Sequence, residues 1–285
     1  MIHQQPIDDS DEPDDLRPAP YLEEASGYGV PGGNFEYAPV GPARPGGWTF
    51  IDVALLLIIA LPAQLVAVAL CMGSLHVYEW LTGVESTFPA SLADAPMVVA
   101  VQIVWWTLLI AFIYGVVTIR HGLPFLPAIG LRSVNRPPGA YLLGGILLAV
   151  SVAVMGYLLP EAPGRMPIQD LIDDRESLLV LAFYGVLFAP VVEEIVFRGF
   201  LYAAIERAKG PLLAVLVTSI VFSLPHAWQY GWRWQNVLLV TYVGVVFGIA
   251  RARTGSIVPS TLLHVGYNAT LFAGLFAAGD KLFAP

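Results

Sequence analysis

Sulfur and charge are what this chain has least of. Its single cysteine, Cys71, excludes an internal disulfide, a cysteine-based zinc site and an iron–sulfur cluster, and is read as a packed apolar thiol. Charged residues make up 13% of the 285 positions, against about 25% in an ordinary soluble domain. With 56% hydrophobic residues and a mean hydropathy of +0.68, that scarcity implies an all-α, polytopic transmembrane helical bundle. The net charge of -8 comes almost wholly from the start of the chain, where nine acidic residues face only Arg17 and Arg44 through Gly47. The acidity is therefore local, and no nucleic-acid partner is expected. That start also lacks the basic region, apolar core and small-residue cleavage site of a signal peptide, so its removal is not expected.

Three chemical signatures are missing as well. No Ser/His/Asp order stands out for a covalent triad, and no His-Glu-x-x-His is present for a zinc peptidase. Nor do the two halves repeat with paired interrupted helices, as a transporter would more naturally show.

What is present reads as three regions. Residues 1–47, rich in Pro, Gly and acids and without apolar periodicity, form a disordered cytoplasmic tail that cannot offset its chain entropy by burial. Residues 48–177 hold the first membrane helices and their loops, and residues 178–285 the chemically interesting core. About seven spans are expected, near 50–73, 96–119, 140–159, 178–205, 212–228, 235–250 and 257–278. A short amphipathic surface helix is expected between 168 and 175, and Trp228, Tyr230, Trp232 and Trp234 form an aromatic cluster suited to headgroup depth. Arg44, Arg120, Arg132, Arg136, Arg207, Lys209, Arg251 and Arg253 fall on one side of such a bundle. By the positive-inside rule that side is the cytoplasm and the N-terminus lies there, in a bacterial-type plasma membrane with lipids as partners.

Polar residues inside the apolar runs mark the candidate site. Glu193, Glu194 and Arg198 lie in the fourth run, His226 in the fifth, and His264 with Asn268 in the seventh. A charge near the bilayer centre costs roughly 2.5–3.5 kcal/mol even on insertion scales, so each calls for a partner or a function. Glu194 and Arg198 are four apart with the acid first, the favourable order for an ion pair on one helix face. Glu193, turned about 100° away, is then free to face a reacting centre. The alternative is that both glutamates serve only Arg198 and nearby backbone. His226 alone, or His264 with Asn268 alone, could equally be ordinary interhelical hydrogen-bonding groups. Gly244 and Gly248 suggest a close helix contact, whereas His76 and His121 sit at helix ends where solvation is expected.

Glu193-Glu194-x-x-x-Arg198, Phe222-x-x-x-His226 and His264-x-x-x-Asn268, in this order, resemble the motifs of the CPBP family of intramembrane proteases, which includes type II CAAX prenyl endopeptidases and bacteriocin-processing enzymes. Gly130-Leu131-Arg132 and Thr254-Gly255-Ser256-Ile257-Val258-Pro259 are similar to what that family carries around its core. The resemblance implies a helical endopeptidase acting on membrane-associated or lipidated proteins. Glu193 would be general base with His226, His264 and Asn268 would bind the oxyanion, and Glu194, Arg198 and Phe222 would support them. A zinc ion held by Glu193, His226 and His264 is the alternative chemistry, and a non-proteolytic scaffold or proton-coupled transporter the alternative class.

Overall fold

In lipid every backbone donor and acceptor must be satisfied within the protein, so apolar runs of this length fold as helices. The computed structural model describes residues 47–86, 91, 94–160 and 166–279, and among these there is no strand. Among the described residues seven helices are long and apolar enough to cross a membrane: α1 Phe50–Thr82, α2 Ala95–Arg120, α3 Pro138–Leu158, α4 Arg175–Lys209, α5 Pro211–Gln229, α6 Trp234–Thr254 and α7 Val258–Ala278. The expected disordered tail lies outside the described residues but for Gly47.

Two boundaries differ from the sequence reading. α1 does not end near Gly73 but continues to Thr82, since nothing in between breaks it; the stop is Gly83, in the left-handed conformation at φ 66°. The expected amphipathic helix is only a short 3-10 turn, Pro167–Leu171. Asp174 accepts the Ser177 N–H at 2.7 Å and starts α4 there, which absorbs Arg175 into the span.

Lipid tails are as apolar as the helices, so packing depends on close backbone approach rather than on hydrophobic burial. α3 and α7 meet through glycines: a Cβ on Gly145 would strike the Leu263 carbonyl, and one on Gly266 the Leu142 carbonyl. α5 and α6 do the same at Gly244 and Gly248, where an added Cβ would stand 3.0 Å from Ser219 Cα and 3.1 Å from Val215. The close contact expected of that glycine spacing is present.

Polar ties lock one end of the bundle. Gly130, at φ 81°, accepts the Ile257 N–H at 2.9 Å, and Ser256 Oγ donates to the Arg132 carbonyl at 2.7 Å, joining the two short motifs. Trp48 stacks on Phe200 with ring centroids 5.2 Å apart, and its indole N–H donates to the Phe200 carbonyl at 2.8 Å. Asp52 is fully buried; Arg120 Nε lies 3.3 Å and His121 Nε2 3.1 Å from its carboxylate. His121 is thus not the solvated helix-end residue expected, because a buried carboxylate 69 positions away in sequence claims its ring.

Candidate active site in the membrane interior

α4 is not a regular α-helix. Its backbone widens to π-helical turns at Tyr184–Phe188 and Ile195–Leu201, on either side of a short α segment, Ala189–Glu194. The first widening follows from Pro190. The Ala189 N–H bonds five residues back to the Tyr184 carbonyl, and the next rung would run from residue 190 to Gly185. Proline has no N–H, so the Gly185 carbonyl loses that donor. Asn268 replaces it: Nδ2 donates to Gly185 O at 2.6 Å. In the second widening, the Arg198 carbonyl accepts from Arg251 Nε at 3.1 Å and the Phe200 carbonyl from Trp48. Side chains from α7, α6 and the residue just before the α1 cap thus stabilise the irregular turns that carry the charges, and π-helical turns are frequent at functional sites.

Glu194 and Arg198 are both fully buried and joined at 2.8 Å, as their spacing predicts. Arg198 also donates to the Gly244 carbonyl at 3.0 Å, which the close approach of α6 makes reachable. Its guanidinium carbon lies 4.6 Å from the Phe222 ring centroid and 5.4 Å from that of Phe247. Aromatic faces of this kind offset part of the desolvation of a buried cation.

His264 is the residue that joins the two glutamates. Its Nε2 lies 3.8 Å from Glu193 Oε2, and its Nδ1 lies 3.4 Å from Glu194 Oε1, the oxygen that also binds Arg198. Glu193 keeps 13% of its side chain accessible, and its Oε2 has no hydrogen-bond partner, nor do Glu194 Oε2, Arg198 Nε or His264 Nδ1. Phe247, whose ring centroid is 4.7 Å from that of His264, and Phe222 at 5.9 Å hold the imidazole in place.

His226 stands beside this group rather than in it. Its Nδ1 is 2.9 Å from the Phe222 carbonyl and its ring packs on Phe222 at 4.8 Å. A carbonyl only accepts, so Nδ1 carries the hydrogen and Nε2 of the neutral ring is left as acceptor. Among the described residues no three His, Cys, Asp or Glu side chains come close enough together to hold a metal ion. Glu193, His226 and His264 therefore do not fit a zinc shell in this arrangement.

Sequence reasoning did not single out Phe247, Tyr184, Trp106 or Arg251. Trp106 Nε1 donates to the Tyr184 hydroxyl at 3.0 Å on the N-terminal π-turn, and Arg251 reaches the other. Only the assembled helices bring them here, although a cation predicted at the end of α6 was a visible signal for Arg251.

Residues 175–270 match the family model described as Type II CAAX prenyl endopeptidase Rce1-like. Over that stretch the chain is similar to the type II CAAX prenyl endopeptidases, in line with the resemblance its motifs carry. The stretch contains every residue of the cluster just described, from Glu193 to Asn268. A further relative is YdiL of Bacillus subtilis (strain 168), a protein with the provisional name of membrane peptidase, 26% identical over 100 residues. The match covers 35% of this chain and 39% of YdiL, so the likeness concerns a part of each rather than either whole protein. No solved structure matches the chain.

Proposed function

We propose that the chain is a membrane-embedded endopeptidase that hydrolyses a peptide bond of a membrane-associated or lipidated protein, in the manner of CAAX processing. The observation that carries this reading is the Glu193 carboxylate, which is nearly buried, has an oxygen without a hydrogen-bond partner, and lies beside His264. A carboxylate kept at that cost, next to a neighbour already neutralised by Arg198, is suited to taking a proton.

In this mechanism Glu193 removes a proton from an attacking water while the free Nε2 of His226 orients that water or shares the proton. The developing oxyanion is met by His264 and by the Asn268 amide. One N–H of that amide is spent on Gly185, and the second remains to donate. Loss of such a donor typically costs roughly 10²–10³ in rate. Collapse of the tetrahedral intermediate breaks the C–N bond, and Glu193 returns its proton to the leaving amine. Glu194, Arg198 and Phe222 fix the geometry and do not touch the reacting atoms. The charge asymmetry of the loops supports a cytoplasmic N-terminus in a bacterial-type plasma membrane.

The test uses purified protein reconstituted into liposomes with a solubilised membrane-protein extract from cells lacking it, and reads new peptide termini by mass spectrometry. Wild-type protein generates them, and Glu193→Ala and His264→Ala, verified as folded by their melting, do not. Undiminished cleavage by both variants sinks the catalytic assignment.

A further inference from the structure

Pro190 and Gly185 do more for the site than shape α4. The Gly185 carbonyl lacks the main-chain donor that residue 190 would supply, and the Asn268 amide stands in its place. At 2.6 Å that bond is shorter than the usual N–H···O distance of about 2.9–3.0 Å, as suits an acceptor that serves one donor. Asn268 comes this close because position 185 carries no side chain: a Cβ there would stand 2.8 Å from the ring of Phe272, one turn further along α7. Since a carbonyl only accepts, the bond also fixes which end of the Asn268 amide is nitrogen and holds the amide plane.

The same proline, itself buried, lies at the start of the α segment Ala189–Glu194. Glu193 is three residues on, about one turn further and on nearly the same face of the helix. One point on the α4 backbone therefore bears on two groups from different helices, the Glu193 carboxylate and the Asn268 amide.

We propose that Pro190 is a positioning residue of the reaction: by withholding an N–H from the Gly185 carbonyl it draws Asn268 onto α4 and sets the direction of the amide's remaining N–H, the one that meets the oxyanion. Pro190 touches no reacting atom and acts through Gly185 and Asn268. The catalytic half of this inference rests on the proteolytic reading, whereas the hold of Pro190 on Asn268 does not. Pro190→Ala restores the missing donor. If the π-helical rung forms, the new N–H reaches Gly185; if the turn tightens to α-helical spacing, the N–H of Ala189 does so instead. In both cases Asn268 shares or loses its acceptor, and its amide is freed to turn.

Two measurements on full-length protein in liposomes test this. The first uses no cleavage and compares the melting of wild type, Pro190→Ala, Asn268→Leu and the double variant. Asn268→Leu strands the Gly185 carbonyl only where proline is present, so the drop in melting temperature it causes should shrink by more than half in the Pro190→Ala background. An equal drop in both backgrounds overturns the proposal. The second follows a synthetic peptide spanning a cleavage site found in the liposome digest. Pro190→Ala should lower kcat about ten-fold with KM within about two-fold of wild type, since a misdirected oxyanion donor costs less than a deleted one. Lactic acid introduced at position 190 by nonsense suppression has the side chain of alanine but an ester oxygen in place of the N–H, and should return kcat to within about three-fold of wild type. Pro190→Ala as fast as wild type, or lactic acid as slow as alanine, overturns the proposal and leaves the protease assignment standing. A wild-type protein that cuts nothing sinks that assignment and the catalytic half of the inference with it, while the melting cycle still decides the hold on Asn268.

Discussion

Replacing Arg198 by methionine keeps most of the side-chain volume and removes the charge, so it isolates what the buried ion pair does. Both partners are fully buried and meet at 2.8 Å, and no water competes for them. The variant leaves the Glu194 carboxylate without its cation, and the Gly244 carbonyl loses its donor as well. Breaking a buried pair in this way costs roughly 3–5 kcal/mol, most of it the penalty of the stranded charge rather than the worth of the bond. Removing both charges should therefore cost less than removing one. Glu194→Gln combined with Arg198→Met is expected to recover the larger part of the loss, a coupling well above about 0.5 kcal/mol. The assay is reversible denaturation in mixed micelles followed by tryptophan fluorescence, with Val191→Ala on the lipid-facing side of α4 as control. If Arg198→Met unfolds no more readily than Val191→Ala, or if the double variant equals the sum of the singles, the neutralising pair is refuted.

Further expectations follow from single contacts. Asn268→Leu strands the Gly185 carbonyl beside Pro190 and should lower stability by about 1–3 kcal/mol in the same denaturation assay, together with the loss of activity. Gly266→Ala drives a methyl into the α3 backbone and should cost roughly 1–3 kcal/mol, whereas Gly274→Ala on the same helix meets nothing within 4 Å and should be neutral or slightly stabilising. Cleavage should survive dialysis against a tight chelator with no stoichiometric metal in the active protein; loss of activity restored by zinc alone would reopen the metal reading, which the spacing of Glu193, His226 and His264 does not favour.

The parts of this fold that were legible in the sequence are those set by local pattern. Apolar run length marked the seven spans, the four-residue spacing of Glu194 and Arg198 marked their pair, and Gly244 with Gly248 marked a close helix contact. Where the structure departs, the cause is tertiary. Pro190 was visible as a helix irregularity, but a π-helical turn needs Asn268, from a helix more than seventy residues away, to satisfy the Gly185 carbonyl. Asp52 and His121 each look ordinary in sequence, and the buried carboxylate meets the imidazole only when α1 and α2 pack. The position of His264 between the two glutamates was equally hidden, since periodicity gives a side chain's face but not what stands opposite.

The central claim is a division of labour between adjacent carboxylates: Glu193 for chemistry and Glu194 for holding Arg198. Glu193→Gln and Glu194→Gln, measured side by side for cleavage rate and melting temperature in the same bilayer, test it most directly. The account predicts that Glu193→Gln abolishes cleavage while melting stays within about 0.5 kcal/mol of wild type, since its Oε2 makes no bond to lose, and that Glu194→Gln melts several kcal/mol earlier. A Glu193→Gln protein that still cleaves, or a Glu194→Gln protein as stable as wild type, would contradict it.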